Sequence, residues 1–108
     1  MRFLFVILLL SMLSCKKSNI NDHPNFVGNW RASQNDATYD LVVKQNGSAV
    51  YEKIKGNTTT SANGRLIVKD DDKVKIGIVN FSLNEYPNQP NDTANWTMTM
   101  DDVKYFRY

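Results

Sequence analysis

From Asn25 onward, short apolar runs alternate with clusters of Asn, Thr, Gly and Ser, which is the spacing of turns in an all-β chain. No segment of a dozen residues carries apolar positions at helical spacing. The pattern predicts about eight strands, the first opened by Phe26-Val27-Gly28-Asn29-Trp30 within 25–33, the others at 38–44, 48–55, 65–69, 73–78, 80–86, 96–100 and 103–108. Period two is cleanest where Val74, Ile76 and Ile78 alternate with Lys73, Lys75 and Gly77, putting one side inward and the other in water. The phase then flips to Val79, Phe81 and Leu83, which predicts a bulge or bend near Ile78. Near the end, Trp96, Met98 and Met100 alternate with Thr97, Thr99 and Asp101, and Val103 and Tyr105 carry that inward face across a hairpin.

The connections carry turn chemistry. Gln45-Asn46-Gly47 is the strongest hairpin signal, since Asn-Gly suits a turn with positive φ at both central residues. Ala62-Asn63-Gly64 is expected to act similarly, and Asp70-Asp71-Asp72 and Asp101-Asp102 mark two further reversals. The longest loop is expected at 88–95, kept out of the sheet by Pro87 before it and Pro90 inside it. The fold expected is all-β: a small antiparallel up-and-down barrel of about eight short strands, or a β-sandwich if the barrel does not close.

The first residues change the picture. Arg2 precedes an unbroken apolar run from Phe3 to Leu10, and Ser11-Met12-Leu13-Ser14 lead to Cys15. These are the parts of a secretory leader, and the run is shorter than the roughly 20 apolar residues of a permanent span. Leu13-Ser14-Cys15 resembles the lipobox of bacterial lipoproteins, with Met12 standing where an aliphatic such as Leu is usual. The resemblance implies cleavage before Cys15 and acylation of that residue. Cys15 is the chain's single cysteine, and an odd thiol in an exported chain calls for such an explanation. Two or more acyl chains make a durable membrane anchor. The chain therefore divides into a signal peptide (1–14), a lipidated flexible tether (15–24) and a β domain (25–108). Lys16 and Lys17 lack the acidic second residue associated with inner-membrane retention in enteric-type bacteria, so the expected location is the cell envelope, at the outer membrane.

Charge excludes some classes. Without Arg2, twelve of the thirteen Lys and Arg stand against eleven Asp and Glu, scattered along the chain, whereas nucleic-acid binders show a basic stripe or face. A domain this small, with no disulfide, has a thin core.

Gly28-Asn29-Trp30 at the start of a run of short antiparallel strands resembles the lipocalin-like group of small bacterial lipoproteins. The resemblance implies that the indole of Trp30 covers one end of the barrel and that Arg107, on the closing strand, lies across it as a cation on a π-face. Tyr86-Pro87 after a Phe-Ser-Leu strand and the closing hairpin from Trp96 to Tyr105 also look like this group. Tyr39, Tyr51, Phe81, Trp96 and Met98 either fill the interior or line a shallow cup for one small apolar ligand, since eight strands enclose little more than side chains.

Other features carry no chemistry. No Ser, Thr or Cys has a base beside it, because the lone His23 falls in the tether and Cys15 is the acylated residue, so an enzyme is not expected. Asp70-Asp71-Asp72 reads as a solvated turn, with no metal, and no cofactor is implied. The aromatic end Tyr105-Phe106-Arg107-Tyr108 resembles outer-membrane barrel strands, but strands of five to seven residues fall short of the nine to eleven needed. Asp92-Thr93-Ala94 resembles a three-residue O-glycosylation signal of exported proteins in some Gram-negative groups, which makes Thr93 the candidate acceptor. Two functional classes remain: a non-catalytic structural or protein-interaction lipoprotein with an unknown protein partner, and a binding protein for a small apolar or amphipathic molecule in the barrel mouth.

Overall fold

Where the chain reverses is decided by which residues accept a positive φ. Asn35 and Asp36 adopt 52° and 63°, and Asp101 and Asp102 adopt 48° and 63°. These two pairs have positive φ at both central positions, as type I′ hairpin turns need, and Asn and Asp tolerate it better than other side-chain-bearing residues. At Asn46-Gly47 only Gly47 is positive, at 90°. That turn is held instead by Asn46 Oδ1, which accepts from Ser48 N at 3.0 Å and Ser48 Oγ at 2.8 Å.

The computed structural model describes residues 19–70 and 72–108. Its strands are β1 (Gly28–Gln34), β2 (Ala37–Val43), β3 (Ser48–Lys55), β4 (Thr58–Lys69), β5 (Lys73–Ile76), β6 (Val79–Asn88), β7 (Thr97–Met100) and β8 (Val103–Arg107). Each pairs antiparallel with the next, and β8 closes onto β1 through Trp30↔Arg107 and Arg31↔Phe106, giving a closed eight-stranded barrel. The expected all-β class and up-and-down barrel are what the chain adopts, and the sandwich alternative is set aside. The leader, Cys15, Lys16, Lys17 and Asp71 lie outside the described residues.

Several expected boundaries differ. Ala62-Asn63-Gly64 is no turn: it lies inside β4, and the reversal falls at Gly56-Asn57. The chain bends at Gly64 because two glycines meet there. A Cβ on Gly64 would stand 2.6 Å from the Gly77 Cα, and one on Gly77 would run into the Asn63 carbonyl oxygen. This bend lets one long strand serve two partners, with 58–65 pairing to β3 and 66–69 to β5. The phase change expected as a bulge near Ile78 is a two-residue hairpin at Gly77-Ile78, so the strand ends at Ile76 and Ile78 stands 92% exposed at the tip. β6 runs on through Pro87, expected to stop the strand, to Asn88, expected in the loop. The register to β7 jumps between Glu85 and Asn88, and in this irregular stretch a residue without an N–H costs the ladder nothing. β4 and β6, at 12 and 10 residues, exceed the expected strand length. The outward wall nonetheless carries exposed Arg31, Lys73 and Lys104, unlike the apolar band of a membrane barrel.

The expected tether is, from Asn19 on, part of the domain. Two 3-10 turns, Ile20–Asp22 and Pro24–Phe26, cap one end of the barrel and bury Ile20 and Phe26. β3 begins at Ser48 opposite Arg65, so the β4 edge beyond Arg65 has no strand beside it on that flank. Leu66 N donates to Gly47 O at 2.8 Å, while the Asn19 side chain accepts from Val68 N at 3.0 Å and donates to Val68 O at 2.8 Å, standing in for a missing strand residue. His23, expected as a lone residue of the tether, instead lies in the cap with its Nδ1 2.7 Å from the Tyr86 hydroxyl.

The interior is filled from all eight strands. Tyr39 meets Tyr105 edge-on at 5.9 Å between ring centroids and Tyr51 meets Phe81 at 4.8 Å, within one cluster that also holds Leu41, Met98 and Met100. Burial pushes the Tyr105 hydroxyl far above the ordinary tyrosine pKa, with the neighbouring Tyr51 and Tyr39 adding to the shift, and burial raises Tyr51 as well. The unfolded chain releases these protons near pH 10 while the folded chain keeps them. Fewer protons on the unfolded state means that stability falls as pH rises above about 10, by up to about 1.4 kcal/mol per pH unit for Tyr105. Tyr105→Phe is therefore expected to flatten the alkaline limb of a stability-versus-pH curve measured by urea unfolding.

Candidate functional site

The residues singled out at the barrel end come together around one guanidinium. β1 brings Trp30 inward two residues after Gly28, and β8 brings Arg107 opposite it. Trp30 is fully buried, and its Nε1 donates to Phe26 O at 2.9 Å, tying the strand to the cap below it. The Arg107 Cζ stands 5.0 Å from the Trp30 ring centroid and 4.6 Å from that of Trp96. Trp96 precedes β7 instead of opening it, half-buried, and contributes its face to this stack.

Gly28 has a specific reason to lack a side chain. Its φ is +144°, and a Cβ there would come within 3.2 Å of the Arg107 Cδ and Nε. The stem of Arg107 thus passes over Gly28, and Nη2 reaches Asn25 O at 2.7 Å. Nε is buried without a hydrogen-bond partner, and burial lowers the pKa of the guanidinium. Two ring faces and one carbonyl hold the cation, which ties β1, β8, the cap and the loop before β7 into one lock. Arg107→Ala is expected to cost about 0.5–2 kcal/mol by loss of the cation–π contacts, measured as a lowered midpoint of denaturant unfolding.

The residues named as possible cup lining are drawn into the core. Tyr39, Tyr51, Phe81 and Met98 are buried in the core cluster, and Trp96 packs against it from the barrel end. Open grooves on the outer surface include two of several hundred cubic ångströms. One, of about 510 Å³, runs past Ile20, Pro24, Val27 and Gln45. The other, of about 440 Å³, follows the β1–β8 seam past Arg31, Ser33, Lys104, Phe106 and Tyr108. Here Arg31 lies over the Tyr108 ring at 4.4 Å and pairs with Asp40 at 3.0 Å, a hydrogen bond that raises its pKa.

Thr93 is exposed in the loop between β6 and β7, and its hydroxyl and backbone N–H both donate to Asn91 Oδ1, at 2.8 Å and 3.0 Å. Among the described residues no group of three His, Cys, Asp or Glu is placed to hold a metal. Phe26, expected to open the first strand, belongs instead to the cap, one turn before β1 begins at Gly28. Asn19 and Asn25 also matter to the barrel end, and nothing in the pattern distinguishes them from the polar residues around them. No family model, curated protein or solved structure matches the chain.

Proposed function

We propose that the chain is an envelope lipoprotein, anchored through acyl chains on Cys15, whose small lipocalin-like barrel serves as a non-catalytic structural or protein-interaction module. The observation that carries the second half is the filled interior: the aromatic residues that a ligand cup would display touch one another instead, as in the Tyr51–Phe81 contact. A side-chain-filled barrel of eight strands offers its outer wall and its turns for recognition, not its centre. The seam groove, with Phe106 45% and Tyr108 62% exposed beside Arg31 and Lys104, is the surface on which an aromatic and basic contact is already assembled. The first half rests on the resemblance of Leu13-Ser14-Cys15 to a lipobox.

An apolar fluorescent probe such as 1-N-phenylnaphthylamine tests the reading. The protein in detergent-free vesicles should add no saturable probe signal beyond that of the lipid. Stoichiometric uptake abolished by Tyr51→Trp or Met98→Trp, which would crowd the interior, favours the ligand carrier instead. Modification of Thr93 is read from the intact mass of the exported protein with and without Thr93→Ala: glycan mass lost in the variant supports it, and an unmodified parent excludes it.

A further inference from the structure

Asn19 is fastened to β4, and Cys15 lies only four residues before it. An extended chain covers at most about 3.6 Å per residue, so no more than roughly 14 Å separates the two Cα atoms. Acylation of Cys15, on which this inference rests, therefore keeps the nearby barrel wall close to the lipid. That wall is the β4–β5 hairpin, and its outward side is basic.

The register shows why. Leu66↔Ile76 and Val68↔Val74 are buried, so the alternate pairs Ile67↔Lys75 and Lys69↔Lys73 face outward. Two lysines directly opposite one another cost the hairpin stability. Across the next strand the residues directly opposite are neutral, Asn80 facing Lys75 and Ser82 facing Lys73, with the Asp101 carboxylate beyond Ser82, whose backbone N–H it accepts from at 2.7 Å. Among the described residues neither Lys73 nor Lys75 has an ion-pair partner, and Asp70 and Asp72 are confined to the turn at the hairpin's end. Lys16 and Lys17 add two cations beside the anchor itself. Basic residues crowded next to a lipid attachment are drawn to anionic headgroups, over a range set by the Debye length.

We propose that the outer wall of the β4–β5 hairpin, with Lys73 and Lys75 around Ile67, rests on the anionic surface of the membrane that holds Cys15. β1 lies four strands from β5 in either direction around the barrel. Docking therefore turns the β1–β8 seam, with Phe106 and Tyr108, away from the bilayer, where a partner can reach it.

Ser82→Cys and Ser33→Cys place labels on the two walls, both at exposed positions. The acylated full-length protein, labelled with a fluorophore at one or the other, is reconstituted in phosphatidylcholine vesicles with or without phosphatidylglycerol and with a headgroup nitroxide lipid as quencher. The Ser82 label should be quenched several-fold more than the Ser33 label when phosphatidylglycerol is present. The difference should disappear with Lys73→Glu/Lys75→Glu, and also in 1 M salt, where screening shortens to about 3 Å. Lys73→Gln/Lys75→Gln replaces the charge reversal should that variant lose its unfolding transition. Equal quenching on the two walls, or a difference that survives loss of the lysine charges, overturns the proposal. Acyl mass at Cys15 with equal quenching removes the docking alone, whereas absence of acyl mass removes anchor and docking together.

Discussion

Trp30→Ala should leave the domain largely unfolded. The indole is fully buried at the barrel end, donates to Phe26 O and forms one of the two faces under Arg107. Truncating a buried Trp costs about 3–5 kcal/mol, and this variant would also strand the Phe26 carbonyl and half-release a partly desolvated cation. A small domain has only about 5–15 kcal/mol to lose. Trp30→Phe separates these effects, since it keeps most of the apolar volume and loses the donor, at about 1–3 kcal/mol for the orphaned acceptor. Urea unfolding followed by far-ultraviolet circular dichroism gives both values. A Trp30→Ala midpoint within error of the parent would mean that the seam does not depend on this side chain.

Gly64→Ala should also be strongly damaging, although it adds only a methyl group. The new Cβ would lie 2.6 Å from the Gly77 Cα and 2.9 Å from its N, against backbone that cannot rotate aside as a side chain can, and φ at Gly64 is +148°. Overpacking of this kind typically costs about 1–3 kcal/mol, and the unfavourable φ adds to it. Because β4 bends at this point to pair with β3 on one side and β5 on the other, relief of the clash would pull those ladders apart. Hydrogen exchange should show it as lost protection at Leu66 and Val74, with Trp30 and Leu41 less affected. Gly56→Ala, with nothing within 4 Å of the added atom but a φ of +59°, is the control for backbone conformation without a clash.

The strands were legible where period two was unbroken. Val74 and Ile76 on β5 and Val103 and Tyr105 on β8 fall inward as the alternation requires, because a half-buried strand must segregate its faces. What sequence spacing missed depends on contacts between distant segments. Asn63-Gly64 carries the composition of a turn, yet its glycine is spent on a meeting with Gly77, which only the folded barrel brings near. Pro87 looks like a stop and is absorbed by an irregular register whose partner is β7. The segment before Pro24 reads as a polar tether because one aliphatic residue is a weak signal, yet that residue, Ile20, is buried in the cap. At the barrel end, Gly28, Trp30 and Arg107 were grouped by the resemblance alone, while Trp96, expected to open the seventh strand and face inward, instead precedes it and lies against the arginine.

Attachment to the membrane at Cys15 underlies both the function proposed and the docking of the β4–β5 wall, and the intact mass of the protein extracted from the membranes of its own host tests it most directly. The expected mass is that of a chain beginning at Cys15 and carrying acyl chains, lost in Cys15→Ser. A mature chain that begins elsewhere, or one that begins at Cys15 with a free thiol and no added mass, would contradict it.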